Sequence, residues 1–217
     1  MPAERIVLVG TGDHGRGTLE ILRAQARAGR EVAVVGFADD ASAGKEVDGV
    51  PVLGTTAWLV EHLLELDAEV LLAIASPEAK QRLHARLSAA GARFGQAIHP
   101  RAELAPSVHL GPGAIVNAGV AIVYEARLGA HVTVNLNATI GHHVLLGDHS
   151  TVAPGANVLG KVTIGARCQI HANAVILPSL TVGEGAVVGA GSVVVRDVPA
   201  GSTVFGNPAR ALPLPQG

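Results

Sequence analysis

The chain has 217 residues, enough for one large or two small domains, with 16 Lys+Arg against 18 Asp+Glu and a formal net charge of −2. That balance leaves no basic footprint for nucleic acid, and aromatic residues at 2% remove the stacking platforms that single-strand binders use. No run of about 18 apolar residues predicts a membrane span, nothing reads as a secretory signal, and the lone Cys168 excludes an internal disulfide framework, so a cytoplasmic protein is expected.

Taken in chain order, Arg5–Gly10 reads as a buried strand and Arg16–Ala28 as a helix stopped by Gly29. Val32–Phe37 is a second strand, ending at Asp39-Asp40. Thr55 or Thr56 caps a helix through Leu66, and Glu69–Ala75 is a third strand. Ser76-Pro77-Glu78 starts a third helix, with Ser as N-cap and Pro in the first turn, and this helix ends near Gly91. The alternation predicts a small parallel sheet with helices around it, whose ligands bind at the carboxyl ends of the strands.

The first such end, Gly10-Thr11-Gly12-Asp13-His14-Gly15, follows the pattern G-x-G-x-x-G between a strand and a helix. Backbone N–H groups and a helix N-terminus favour phosphate there. The plainer reading is a tight turn that needs glycine and holds nothing. Asp13 repels a phosphate unless it points away. Asp39 and Asp40 are candidates for a ribose or a base edge, and Ala75-Ser76 lie beside the same crevice. About 100 residues make only half of a full dinucleotide-binding fold, and no dehydrogenase-like substrate domain follows.

From Leu104 to Val194 an aliphatic residue falls at every sixth position, sixteen times in one register. Four places after it sits a small or medium residue, as at Ala114, Ala138, Ser150, Cys168 and Ser192. Six residues suit one short strand and one turn, and three such units close an 18-residue turn of a parallel β-helix. The aliphatic points inward and stacks on its counterpart 18 residues away. Glycine directly after it, as in Leu146-Gly147, suits turn geometry. Cys168, at a small inward position, reads as a packed thiol.

Adding 18 to a position gives its neighbour in the next coil. Glu125 then stacks under His143, Tyr124 under His142 and Gly160, Asn117 under Asn135, and His131 under His149. An imidazole, with a reference pKa of about 6.5, takes a proton at neutral pH, and His142 is the best candidate for a general base. His171 falls where many repeats carry glycine and is a candidate to face a ligand groove. His131, His149, His109 and His84 read as surface residues. No metal site is expected, because His131, His149 and His143 have no further ligand at a suitable spacing.

The hexapeptide register, the central Ile140-Gly141-His142, and the ending Val204-Phe205-Gly206-Asn207-Pro208-Ala209-Arg210 together resemble the left-handed β-helix acyltransferases. With the glycine loop and Ile98-His99-Pro100, the chain is similar over Arg5 to Arg210 to the bacterial sugar O- and N-acetyltransferases. The resemblance implies an α/β Rossmann-like N-terminal domain (1–100) that binds a nucleotide sugar. A left-handed parallel β-helix acetyltransferase domain (101–210) and a loose tail (211–217) follow. General crossover chirality would predict the other hand, so the handedness comes from the resemblance.

It further implies a homotrimer with active sites between adjacent β-helices, and acetyl-CoA as co-substrate. His142 matches the family's base, and Asn135 an asparagine that helps hold the reacting groups. Gly12, His14 and Asp39 or Asp40 match positions near the nucleotide, and Gly160, Ala172 and Ala190 line the acetyl-CoA groove. Two departures stand out. The residue after the base is usually Asp or Glu and here is His143, and a second family histidine is Thr151 here. Glu125, stacked against His143, is a candidate to replace the missing carboxylate, and Thr151 to hydrogen-bond near the thioester. The implied activity is N-acetylation of a nucleotide-linked amino sugar. O-acetylation of a sialic-acid-like sugar and a non-catalytic nucleotide-sugar-binding trimer are the alternatives.

Overall fold

The computed structural model describes residues 3–212. The chain divides into two compact units, Met1–Pro100 and Arg101–Gly217.

The first unit is a five-stranded sheet of β1 (Glu4–Val9), β2 (Val32–Ala38), β3 (Glu46–Val47), β4 (Val50–Gly54) and β5 (Glu69–Leu72), in the order β3-β4-β2-β1-β5. The pairs β4-β2, β2-β1 and β1-β5 are parallel, and β3-β4 is an antiparallel hairpin. Helices α1 (Asp13–Arg27), α2 (Thr56–Leu66) and α3 (Pro77–Ala89) accompany it. Ile6, Val7, Leu8 and Val9 are all buried, as a central parallel strand covered on both faces requires. The β3-β4 hairpin has no counterpart among the expected elements. It turns at Asp48-Gly49, both at positive φ (49° and 77°), which is the turn that matches strand twist. The cap of α2 is Thr55, whose side chain accepts the Trp58 N–H. Ser76 caps α3 in the same way through the Ala79 N–H.

The second unit is the β-helix. Two-residue strands run from Glu103–Leu104 to Val193–Val194 and distribute in rotation over three parallel sheets. The register is 18 residues: Thr133 pairs with Thr151 and Val134 with Val152. The inward aliphatics are buried from Val116 to Val194, as are Ala114, Ala138, Ser150, Cys168 and Ser192. Each fully buried Val, Leu or Ile contributes roughly 1.5–3 kcal/mol relative to exposure. The Cys168 thiol lies 3.1 Å from the Gly183 carbonyl, and burial raises its pKa.

Two expectations are corrected here. The glycine after each aliphatic does not serve a left-handed turn. The left-handed position is three places after the aliphatic, occupied by Gly113, Gly119, Glu125, His131, Asn137, His143 and His149 in succession. The glycines after the aliphatic are needed because the next coil is too close. A Cβ on Gly147 would lie 2.5 Å from the Gly165 carbonyl carbon, and one on Gly111 would lie 2.5 Å from that of Gly129.

His131 and His149 are not surface residues, with exposures of 1% and 5%. Their rings stack 5.6 Å apart at 9°. These two side chains lie along the stack, over the preceding coil, and a Cβ on Gly113 would sit 2.1 Å from His131 Nδ1. His109 is exposed, as expected, and His84 is half-buried, its ring edge-on to Phe94.

The first two residues of the expected tail are not loose. Ala211 pairs with Val204 in an antiparallel bridge, and the Leu212 N–H donates to the Thr203 carbonyl. The rest of the expected tail, 213–217, lies outside the described residues. No helix among the described residues is long and apolar enough to cross a membrane.

Candidate active site

The helical unit brings four candidate residues to one corner. His142 and His143 follow the strand Thr139–Ile140, and Tyr124 and Glu125 occupy the same corner one coil earlier. The Tyr124 and His142 rings stack at 5.3 Å and 9°. His142 Nδ1 is 3.1 Å from His143 Nδ1, and His143 Nε2 is 2.6 Å from Glu125 Oε2. On the other side, Gly160 leaves open the space beside His142 Nε2, where a Cβ would lie only 2.4 Å away. A shallow cavity of about 540 Å³ runs beside this corner, lined by Ser107, His109, Glu125, Arg127, His143 and Leu145. The arrangement holds one imidazole by its face and by Nδ1, with Nε2 lying over Gly160.

Other candidates stand elsewhere on the helix. Asn135 follows the strand Thr133–Val134 at a different corner, where its Oδ1 accepts from Asn117 Nδ2 at 3.3 Å. His171 is in the same column, two coils after Asn135, and is exposed. Ala172 and Ala190 lie in the adjoining column. Thr151 lies on the sheet that leads to that corner, opposite Thr133 and Gln169. Within one chain, therefore, His142, His143, Glu125 and Gly160 form one group, and Asn135, Thr151, His171, Ala172 and Ala190 another.

In the N-terminal unit the three loops at the carboxyl ends of the adjacent strands β2, β1 and β5 form the candidate nucleotide site. Each glycine of the first loop has its own reason. Gly10 has φ +102°, and a Cβ on Gly15 would lie 1.9 Å from the Gly10 carbonyl oxygen, so these two serve the turn and helix packing. Gly12 meets nothing within 4 Å. It is also the N-cap of α1 and offers no side-chain cap, so the first-turn N–H groups face outward without one. No protein contact requires a glycine there. Asp13 is exposed on that first turn.

Asp39 and Asp40 have structural tasks. Asp39 accepts the N–H groups of Thr11 and Ala41. Burial works against its charge, but those N–H groups, with the Thr11 hydroxyl and the Ser42 N–H, hold its pKa below the usual carboxylate value. Asp40 accepts from the Thr56 N–H at 2.7 Å and from its hydroxyl. Ala75 and Ser76 are exposed, and Ser76 is engaged in capping α3.

Lys80 escaped the sequence reading. It is wholly buried, and burial draws its pKa down to about 8. Its charge, after burial itself, also lowers the pKa of His14. A protonated lysine and a neutral histidine thus accompany the start of α1 at neutral pH. The signal was helical spacing: Pro77, Lys80 and Leu87 are the buried residues of α3. Among the described residues no group of three or more His, Cys, Asp or Glu side chains is placed to hold a metal ion.

Comparison with known proteins adds the following. Residues 5–87 match the PglD N-terminal domain model, and residues 161–196 match the bacterial transferase hexapeptide model of six repeats. The chain is 36% identical over 117 residues to GDP-perosamine N-acetyltransferase of Escherichia coli O157:H7. That match takes in 53% of this chain and 52% of the relative, about half its length. Among solved structures it is similar to PerB from Caulobacter crescentus in complex with CoA and GDP-perosamine. The TM-score is 0.89 and the identity 33%, over 96% of this chain and 97% of that one. It is also similar to the acetyltransferase domain of PglB from Neisseria gonorrhoeae in complex with acetyl coenzyme A. There the TM-score is 0.88 and the identity 32%, over 97% of this chain and 100% of that one.

Proposed function

The chain belongs to the hexapeptide-repeat sugar acyltransferases, and on that premise we propose that it moves an acetyl group from acetyl-CoA to the amine of a nucleotide-linked amino sugar. The observation that carries this reading is the His142 imidazole, held at Nδ1 and by its face while Nε2 stands beside Gly160. The neutral amine attacks the thioester carbonyl. His142 Nε2 takes the amine proton as the tetrahedral intermediate forms and returns it to the departing CoA thiolate. Direct transfer, not an acyl-enzyme, is the route, since the single cysteine is buried. The N-terminal unit takes the nucleotide, at the open Gly12 and the N-terminus of α1. The relatives solved with CoA, GDP-perosamine or acetyl-CoA support the choice of both substrates.

The active assembly is a homotrimer. His142 and the group around Asn135 and Thr151 lie at different corners of one β-helix, so a site using both draws on two copies. Exposed apolar side chains at Val123 (40%), Tyr124 (48%), Leu136 (47%) and Leu145 (45%) fit a surface that a second copy covers. The enzyme works in the cytoplasm, a reading that rests on the single, reduced cysteine.

The test is thiol release from acetyl-CoA across UDP-, GDP- and dTDP-linked amino sugars, with free sialic acid and His142→Ala alongside. Turnover on one nucleotide amino sugar, lowered by about 100-fold or more in the variant, is expected. Turnover only on a hydroxyl acceptor refutes the amine specificity. Binding without turnover on any acceptor would favour a sensing role.

A further inference from the structure

We propose that Glu125, His143 and His142 form a proton relay in which Glu125 sets the tautomer of the base, an inference that rests on the acetyl-transfer reading above. The chain of contacts is Glu125 Oε2 to His143 Nε2 at 2.6 Å, then His143 Nδ1 to His142 Nδ1 at 3.1 Å. A carboxylate only accepts, so His143 donates through Nε2–H. In the neutral imidazole the other nitrogen is then a lone pair, and His143 Nδ1 accepts. His142 must supply the donor, so its proton is on Nδ1. Its lone pair is therefore on Nε2, the nitrogen beside the missing side chain of Gly160. Glu125 thereby selects, through two rings, the basic nitrogen that meets the substrate.

The proton balance follows. When Nε2 takes the proton of the attacking amine, His142 is an imidazolium. Its Nδ1 proton then crosses the 3.1 Å bond to His143 Nδ1, and the positive charge comes to rest on the ring paired with Glu125. Protonation of the CoA thiolate runs the sequence backwards, and all three groups return to their starting states. His142 would be the catalytic residue, and His143 and Glu125 positioning residues that act through it.

The surroundings favour this direction. The Ser107 hydroxyl accepts the Glu125 N–H, fixing the backbone that carries the carboxylate. Tyr124 covers His142 with its face, and its ring is edge-on to His143. His109 and Arg127 line the neighbouring cavity, and Lys161 occupies the equivalent corner position one coil after His143. Glu125 is thus the acidic member of a ring of groups that are otherwise neutral or cationic.

Two measurements test the relay. The first is the nitrogen shifts and proton couplings of ¹⁵N-histidine in the wild type, which need no substrate. Neutral His142 should carry its proton on Nδ1 and neutral His143 on Nε2. The second is the pH profile of kcat/KM in Glu125→Gln and in Glu125→Gln with His143→Asp. Glu125→Gln should lower kcat about tenfold, leave the KM for acetyl-CoA little changed, and move the acidic limb to lower pH, because the protonated pair has lost its counter-charge. The double variant should recover most of that loss. It places a carboxylate directly beside His142, and aspartate tolerates the left-handed backbone (φ 56°) at position 143.

A His142 proton on Nε2, an unmoved acidic limb, or a double variant no better than the single one would overturn the relay. If no acceptor is ever turned over, the tautomers still decide it. If turnover is robust but the tautomer is reversed, only the relay fails.

Discussion

Substituting Gly160 by alanine isolates the one atom on which the proposed chemistry depends. A methyl there would lie 2.4 Å from His142 Nε2 and 2.7 Å from Cε1. Ordinary non-bonded separation is about 3.5 Å, so the ring must retreat by roughly 1 Å. The obstacle is the far end of a side chain at a half-buried corner, and Gly160 is not at a left-handed φ. The coil can therefore accept alanine at little cost, while the base cannot keep its place. A misplacement of about 1 Å costs on the order of 100-fold in rate, or roughly 2.7 kcal/mol of barrier. Steady-state thiol release should show kcat falling by about that factor towards the His142→Ala floor. Thermal melting should shift by no more than about 2 °C. A Gly160→Ala enzyme with more than a third of wild-type kcat would refute the reasoning, since Nε2 could not then be the working nitrogen. A large fall in melting temperature would refute the claim that the ring, not the coil, gives way.

The same construction at Gly147 should have the opposite signature. Its Cβ would meet the Ala166 nitrogen and the Gly165 carbonyl carbon at 2.5 Å, both backbone, so Gly147→Ala should destabilise by about 1–3 kcal/mol or more in urea unfolding. A loss below about 0.5 kcal/mol would show that the coils can part. For Lys80, burial brings the folded pKa to about 8 from 10.5. Between those values the unfolded chain holds the proton that the folded chain has released. Stability therefore rises with pH across that window and is lost as pH falls through about 8. Lys80→Met should remove the effect, so urea unfolding of wild type and variant should differ between pH 7 and pH 10, with the wild type gaining at pH 10. A difference that does not change with pH would contradict the burial of an ammonium at this position.

What was legible in the sequence was whatever depends on spacing alone. The aliphatic register predicted the three-sheet coil, and adding 18 to a residue number predicted the Tyr124–His142, Glu125–His143 and His131–His149 stacks, all present. The Ser76 and Thr55 caps followed from side-chain chemistry. What escaped depends on side-chain direction or on close approach. Reading histidine as polar and outward failed at His131 and His149, because these two rings stack on each other along the column. Asp39 and Asp40, the candidates for a ribose or a base edge, also accept nearby backbone N–H groups, those of Thr11 and Ala41 at Asp39 and that of Thr56 at Asp40, which spacing does not reveal. The β3-β4 hairpin was readable after all, since Val47-Asp48-Gly49-Val50 carries the Asp-Gly signal of a tight hairpin.

The departure at position 143 is where this register has most to say about chemistry. Neighbouring strands of a sheet lie about 4.8 Å apart, so a corner side chain has only two column neighbours within hydrogen-bonding reach, those 18 residues before and after it. On the proposed relay, the negative charge missing beside His142 comes from one of these two positions. For His143 they are Glu125 and Lys161. Lysine has the wrong sign to hold a histidinium, and the position before it carries the carboxylate, at 2.6 Å from Nε2. Within one chain the proposed compensation therefore falls to Glu125. It reaches His142 only through the imidazole between them, which is why position 143 must be a group that both donates and accepts. Histidine does this; an alanine there would leave Glu125 with no path to the base, and a lysine would offer donors alone.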